Sequence, residues 1–231
     1  MFSLEENLEL LELFKDLRVA DVRDGMDWNM MHHFGTVDPA IRPLFRTRTH
    51  GIAKTARYIP FQGPIPWSDP EEYSQWSRYY YGNVCTYPWG KTVEEGDFWA
   101  IDLGGLSVGL MGSSNSLKHF SKGARGFVIN GGVRDTDELI LQKVPVWSSS
   151  CSQCMVQGRI QFESMGNPVN IGGVAVFPGD VIVADGDGVI VVPRKIAKDV
   201  AKYGLKELVK DKADRGKLYE KLGWEKDETV T

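Results

Sequence analysis

Cysteine is scarce in this chain: Cys85, Cys151 and Cys154 are the only three in 231 residues. Three thiols exclude a disulfide-stapled scaffold, and the Cys151-Ser152-Gln153-Cys154 spacing lacks the second pair that a zinc site needs. They read as ordinary thiols of a reducing compartment, which makes a cytoplasmic protein the expectation. Apolar runs are short, and none approaches the length of about 20 residues that spans a membrane. Basic charge is not in excess. Lys and Arg total 27 against 31 Asp and Glu, giving a net charge of -4, so no footprint for nucleic acid is expected. The four histidines include the pair His32-His33, which either ligates a metal or faces the negative end of a helix dipole. The first residues, MFSLEENLELLELF, are acidic and amphipathic, unlike a signal peptide. Internal repeats and low-complexity tracts are missing as well.

What is present describes one domain over residues 1–231, with 42% hydrophobic and 25% charged residues. Its chemistry concentrates in GFVINGGVRDTDE, residues 126–138. Phe127, Val128 and Ile129 suit a buried strand, and Gly131-Gly132 end the apolar run. Arg134 and Asp135 follow where α/β sheets carry function, beyond the carboxyl end of a strand. A guanidinium grips a carboxylate in two-point fashion, and an aspartate suits Mg²⁺ or Mn²⁺. The competing reading is a surface ion pair, or Asp135 as the cap of a helix beginning at Thr136. Gly112-Ser113-Ser114-Asn115 begins another helix, whose free amides form either an anion cradle or a plain cap.

Helices are expected over residues 4–17 and 19–31, the second with Asp21 as N-cap and Val22, Met26 and Met30 along one face. A strand follows at 49–58. Residues 60–90 form an insertion with five prolines, five tyrosines and three tryptophans, Trp67, Trp76 and Trp89. Aromatics on that scale predict an ordered lid or an oligomer contact. Further strands are expected at 98–103, 144–147, 160–163, 174–177, 181–184 and 189–192, with helices at 116–122 and 136–142 between them. Asp185-Gly186-Asp187-Gly188 is a hairpin turn that lacks the later ligands of a calcium loop. A charged amphipathic helix from Lys195 and a second helix in the tail are expected to close the chain.

Taken together, VADVRDGMD, DPAIRPL, GIAKTA, GARGFVINGGVRDTDE with VPVW after it, and GGVAVFPGDVIVADGDGVIVVP resemble one family. It is that of the class II pyruvate aldolases for 4-hydroxy-4-methyl-2-oxoglutarate and 4-carboxy-4-hydroxy-2-oxoadipate, which includes the regulator of ribonuclease activity A. The resemblance covers residues 10–203, leaving 204–231 as a helical tail. It implies an α/β swivelling β/β/α fold, a homotrimer or homohexamer, and a site between subunits for a small carboxylate substrate. It further implies that Arg134 binds a pyruvyl carboxylate, that Asp135 holds Mg²⁺ or Mn²⁺, and that amides of 112–115 assist. The family's acid for proton transfer belongs at position 113, where this chain has Ser113. A serine hydroxyl is no base at neutral pH, so Asn115 and the aromatic insertion are the candidates for a rebuilt site. Three functions follow: a metal-dependent lyase on a 2-oxo acid, an isomerase, dehydratase or epimerase of a sugar-derived acid, or a non-catalytic ribonuclease-binding protein.

Overall fold

A computed structural model describes residues 2–66 and 69–231; Trp67 of the aromatic insertion lies outside them. The chain opens with α1 (Leu4–Glu12) and α2 (Val19–Trp28). Strands and helices then alternate through β1 (Arg42–Pro43), β2 (Thr49–Pro60), α3 (Pro70–Asn83), β3 (Asp97–Asp102), α4 (Ser113–Phe120), β4 (Gly126–Val133), α5 (Thr136–Leu141) and β5 (Val146–Cys151). β6 (Ile160–Met165), β7 (Val169–Ile171), β8 (Val174–Val176), β9 (Val181–Ala184) and β10 (Val189–Val192) precede a long α6 (Ala197–Leu222).

The main sheet runs β1-β5-β4-β3-β2-β9-β10, with β6 also on β2. β2, β3, β4 and β5 are parallel. β2 gives Thr49–Ile52 to β9 and Ala56–Pro60 to β6, with a register shift between Arg57 and Tyr58. Such an irregularity raises the local twist, and the sheet curls where its longest strand changes partner.

Both faces of the sheet are covered, which is why its strands read as unbroken apolar runs. Trp99, Ile101, Phe127 and Ile129 join the core that also takes in α3 and α5. Their neighbours Phe98, Ala100 and Val128 point to the other face, under the β7–β8 hairpin. In β9 and β10, Val181, Val183, Ile190 and Val192 meet α1, α2 and α6, while Ile182 and Val191 face the hairpin's core. The two-residue period of a strand accounts for this division.

Several expectations need correction. The helix expected over 19–31 ends at Trp28; Met30 has a left-handed φ of 62° and is 74% exposed, so only Val22 and Met26 are buried. Asp21 does not cap that helix. Arg18 stands at the N-cap and Asp21 at N3, taking the Arg18 amide at 2.8 Å and its Nε at 2.9 Å. Gly131 and Gly132 lie inside β4 rather than ending it, because a side chain at Gly131 would come within 2.6 Å of Leu103. The two C-terminal helices are one, carried past Gly216 by i,i+3 and i,i+4 pairs such as Lys217–Asp214 and Arg215–Asp211. It stops at Gly223, whose φ of 68° suits the residue after a helix end.

The insertion holds a helix, α3. Asp69 caps it by accepting the Glu71 and Glu72 amides at 2.9 Å each, and Pro70 occupies its first turn. Tyr80 of α3 is fully buried, its hydroxyl donating to the Ile160 carbonyl at 2.5 Å. Trp89 is buried against Trp99, ring centroids 4.5 Å apart, and its Nε1 donates to the Tyr58 hydroxyl at 2.9 Å. Each such ring contributes roughly 2–3 kcal/mol through burial alone. The insertion is thus a wall rooted in the core.

Candidate active site

β4 delivers Arg134 and Asp135 directly from the centre of the sheet. Met111 bridges to Val133, and the Arg134 amide donates to the Met111 carbonyl at 3.0 Å. Asp135 then adopts φ 53° and ψ 44°, a left-handed conformation that costs a non-glycine residue about 1 kcal/mol or more. It holds the N-cap position of α5, yet its side chain does not cap that helix. The carboxylate turns to the start of α4 instead. Its Oδ2 accepts the Ser113 amide at 3.2 Å and its Oδ1 accepts Arg134 Nε at 3.1 Å.

Two glycines permit this approach. A Cβ at Gly112 would overlap the Asp135 Oδ2 and stand 3.2 Å from Arg134 Cγ. One at Gly109 would come within 2.8 Å of Arg134 Cβ. Gly112 is the extended N-cap of α4, so the helix starts at Ser113, three residues before the sequence pattern suggests. The first amides of a helix have no acceptor within it, and they carry the positive end of its dipole.

Gly112, Ser114, Asn115, Arg134 and Asp135 all line one cavity of about 520 Å³. Ser113 is not among the lining residues; its amide reaches the site by donating to Asp135 Oδ2. Sequence reading did not single out the rest of the lining, which includes Tyr81, Tyr87, Leu110, Met155 and Val156. The aromatic composition of 60–90 is the one signal that pointed toward Tyr81 and Tyr87. The Tyr87 hydroxyl donates to the Leu110 carbonyl at 3.1 Å. Burial holds the Tyr87 phenol well above its usual range and raises that of Tyr81, so both are neutral at ordinary pH. A second cavity of about 420 Å³ adjoins the other side of Arg134 and Asp135, lined by Thr136, Cys151, Ser152 and Gln153.

Asp135 is the one carboxylate among the described residues lining either cavity. Each of its oxygens accepts one hydrogen bond, and a carboxylate has about four acceptor positions, so a lone pair stays free on each. That donor set fits Mg²⁺ or Mn²⁺, which bind through one or two carboxylates and fill the remaining positions with water and substrate. Among the described residues no three His, Cys, Asp or Glu side chains gather as an all-protein metal site. His32 lies beside Asp27, Nδ1 to Oδ1 3.3 Å, at the end of α2 and outside the cavity lining. The cysteines are free thiols; Cys151 is exposed at the second cavity, and burial pushes Cys85 up to about 12.

Comparison with known proteins agrees with the architecture. A family model described as RraA-like, aldolase/RraA, matches residues 19–191. A 4-hydroxy-4-methyl-2-oxoglutarate aldolase of Thermus thermophilus is 32% identical over 111 residues, 45% of this chain and 65% of that protein. An uncharacterised protein of Methanocaldococcus jannaschii is 33% identical over 48% of this chain and 49% of its own length. The matching stretches thus span about half to two thirds of these two relatives. The crystal structure of Streptomyces coelicolor RraAS2, described as an unusual member of the RNase ES inhibitor RraA family, superposes with a TM-score of 0.70. That match has 21% identity and covers 90% of this chain and 96% of that one. The α/β fold with its curled sheet and terminal helices is therefore shared with RraA proteins, and the chain belongs to the RraA-like, aldolase/RraA family.

Proposed function

We propose that the protein is a divalent-metal-dependent lyase that cleaves a 2-oxo acid in aldolase fashion, by way of an enolate. The observation carrying this reading is the convergence of Arg134, Asp135 and the α4 N-terminus on one cavity. Arg134 anchors the substrate carboxylate through its fork, and the free amides at the start of α4 share that anion. Asp135 holds Mg²⁺ or Mn²⁺, which supplies Lewis-acid polarisation of the 2-oxo group when bound. Asn115 and Ser114 offer uncharged hydrogen-bonding groups to the polar part of the substrate.

The family names among the relatives support this class of reaction. Ser113 supports a second reading, in which an enolate formed by loss of a proton takes one back elsewhere, giving isomerisation or epimerisation, or expels a β-hydroxyl as water, giving dehydration. The two readings share every binding residue and differ in the proton donor. We further propose a homotrimer or homohexamer, which light scattering tests directly.

A metal-dependent screen over 2-oxo acids, following pyruvate release and substrate loss separately, tests the function. Asp135→Ala is expected to abolish the activity that Mg²⁺ restores after chelation, with the melting temperature little changed. Wild-type activity in that variant would refute the metal assignment.

A further inference from the structure

The lining of the main cavity combines two kinds of chemistry. Arg134, Asp135 and the start of α4 supply charge and free amides, and Tyr81, Tyr87, Leu110, Met155 and Val156 supply apolar and aromatic surface. Arg134 is the one cation among the described residues of this lining. Nearby arginines are already engaged. Arg78 Nη1 donates to Ser74 Oγ at 3.1 Å, and Arg159 Nη1 donates to the Met155 and Gln157 carbonyls at 3.1 and 3.3 Å. A second carboxylate on the same ligand would lose water without gaining a second cationic side chain, a costly exchange.

The apolar and aromatic side chains of the lining favour a flat, polarisable group. Aromatic rings pair well with other rings, and a thioether such as that of Met155 makes favourable contacts with ring edges. Leu110 and Val156 are each 2% exposed, a fixed floor, while Tyr87 has its hydroxyl committed to Leu110. Tyr80 and Tyr81 are neighbours with opposite employment: Tyr80 is fully buried in the core, and Tyr81 is 42% exposed at the cavity. The fold therefore uses the first ring and leaves the second available. A volume of about 520 Å³ lies within the roughly 300–1,000 Å³ of sites for drug-sized ligands, far more than a three-carbon acid fills.

We propose that this site takes a 2-oxo acid with a single carboxylate and a planar aryl or unsaturated arm, and that Tyr81 is the side chain selecting that arm. This rests on the reading of Arg134 and Asp135 given above. The dicarboxylate named for the Thermus relative would be a poor ligand here.

Titration calorimetry on the full chain with Mg²⁺ separates the possibilities, using oxalate, pyruvate, phenylpyruvate and 2-oxoglutarate as probes. Oxalate binding that Arg134→Lys weakens establishes the anchoring role. Phenylpyruvate is then expected to bind at least about tenfold more tightly than pyruvate, a difference of about 1.4 kcal/mol, and 2-oxoglutarate more weakly than pyruvate. Tyr81→Phe should keep the preference for the aryl acid, and Tyr81→Ala should reduce it to about threefold or less. If oxalate binds but phenylpyruvate gains nothing over pyruvate, or 2-oxoglutarate binds more tightly than either, the substrate class is overturned and the site reading stands. An undiminished preference in Tyr81→Ala overturns the role of Tyr81. Should that variant not fold, the wild-type series decides the class and a preference lost in Tyr81→Phe overturns the role of the ring. Failure of oxalate to bind overturns both.

Discussion

Gly112→Ala puts a methyl group where the Asp135 carboxylate now rests. The added Cβ would overlap Oδ2 and lie 3.3 Å from Asp135 Cγ, so an ordinary contact requires the carboxylate to withdraw by about 1 Å. Withdrawal breaks the bond from the Ser113 amide, 3.2 Å in the native chain, a hydrogen bond to a charged group worth about 1.5–3 kcal/mol. A displacement of that size in a reacting constellation costs about 100-fold in rate. The backbone conformation at this position is little troubled. Gly112 has φ -118° and ψ 179°, extended geometry that alanine adopts freely. Losing a good N-cap costs about 1 kcal/mol, and a less flexible unfolded chain offsets about 0.4–1 kcal/mol of it. With the lost hydrogen bond included, the expected result is a melting temperature lowered by roughly 3–12 °C and a kcat/KM for the best 2-oxo acid lowered by about two orders of magnitude. Calorimetric melting and steady-state kinetics on the same preparations measure both. A variant that melts normally and keeps kcat/KM within about threefold of wild type would show that Asp135 need not sit against the α4 N-terminus.

Arg134→Lys keeps the charge and loses the fork, so the inhibition constant of oxalate should rise by about tenfold or more; equal inhibition would refute the anchoring role. Ser113→Asp is expected to lower the native activity, because a second carboxylate beside Asp135 disturbs the cation site and neighbouring proton affinities; increased retro-aldol turnover of 4-hydroxy-4-methyl-2-oxoglutarate would show instead that a simple aldolase had been restored. Stability should fall as pH drops from 6.5 to 4. Burial lowers His50 and His119 from 6.5 to about 4, so over that window the unfolded chain binds protons that the native state refuses. Burial raises Asp97 from 3.8 to about 6, which opposes the trend, since there the native state holds the extra proton. Asp97→Asn removes that compensation and should steepen the fall in melting temperature; a flatter profile in the variant would refute the assignment.

Much of the fold was legible because its strands are short, apolar and bounded by glycine. Residues 181–184 and 189–192 were placed to the residue, since Asp185-Gly186-Asp187-Gly188 marks the turn between them. The ends of helices were less legible. The apolar spacing through Met30 reads as helix to Met31, whereas the helix ends at Trp28 and the chain turns left-handed at Met30. In α6 the charged tail within 204–231 reads as a separate helix, but charge pairs on neighbouring turns carry a single helix through Gly216. In the insertion, Asp69-Pro70-Glu71-Glu72 is a complete helix start, with cap, proline and acids in order. Five prolines in thirty residues obscured it. No local pattern could say that Tyr80 would enter the core while Tyr81 would line the cavity of Arg134, since that depends on how α3 is rotated against the sheet.

At the site the division between backbone and side chain decides what the sequence could tell. The Arg134–Asp135 pair is visible because it follows an unmistakable strand, and the two functional groups belong to the side chains named. Position 113 is different. What it gives Asp135 is an amide, which any residue except proline supplies. In the proposed reaction, Ser113 therefore keeps the amide that grips Asp135 and bears on the route of the proton alone. Binding and chemistry at this site can change independently of each other. A family likeness that fixes the fold therefore says little about the reaction, and the proposed choice of substrate rests on the wall contributed by α3, on which Tyr81 stands beside the same cavity.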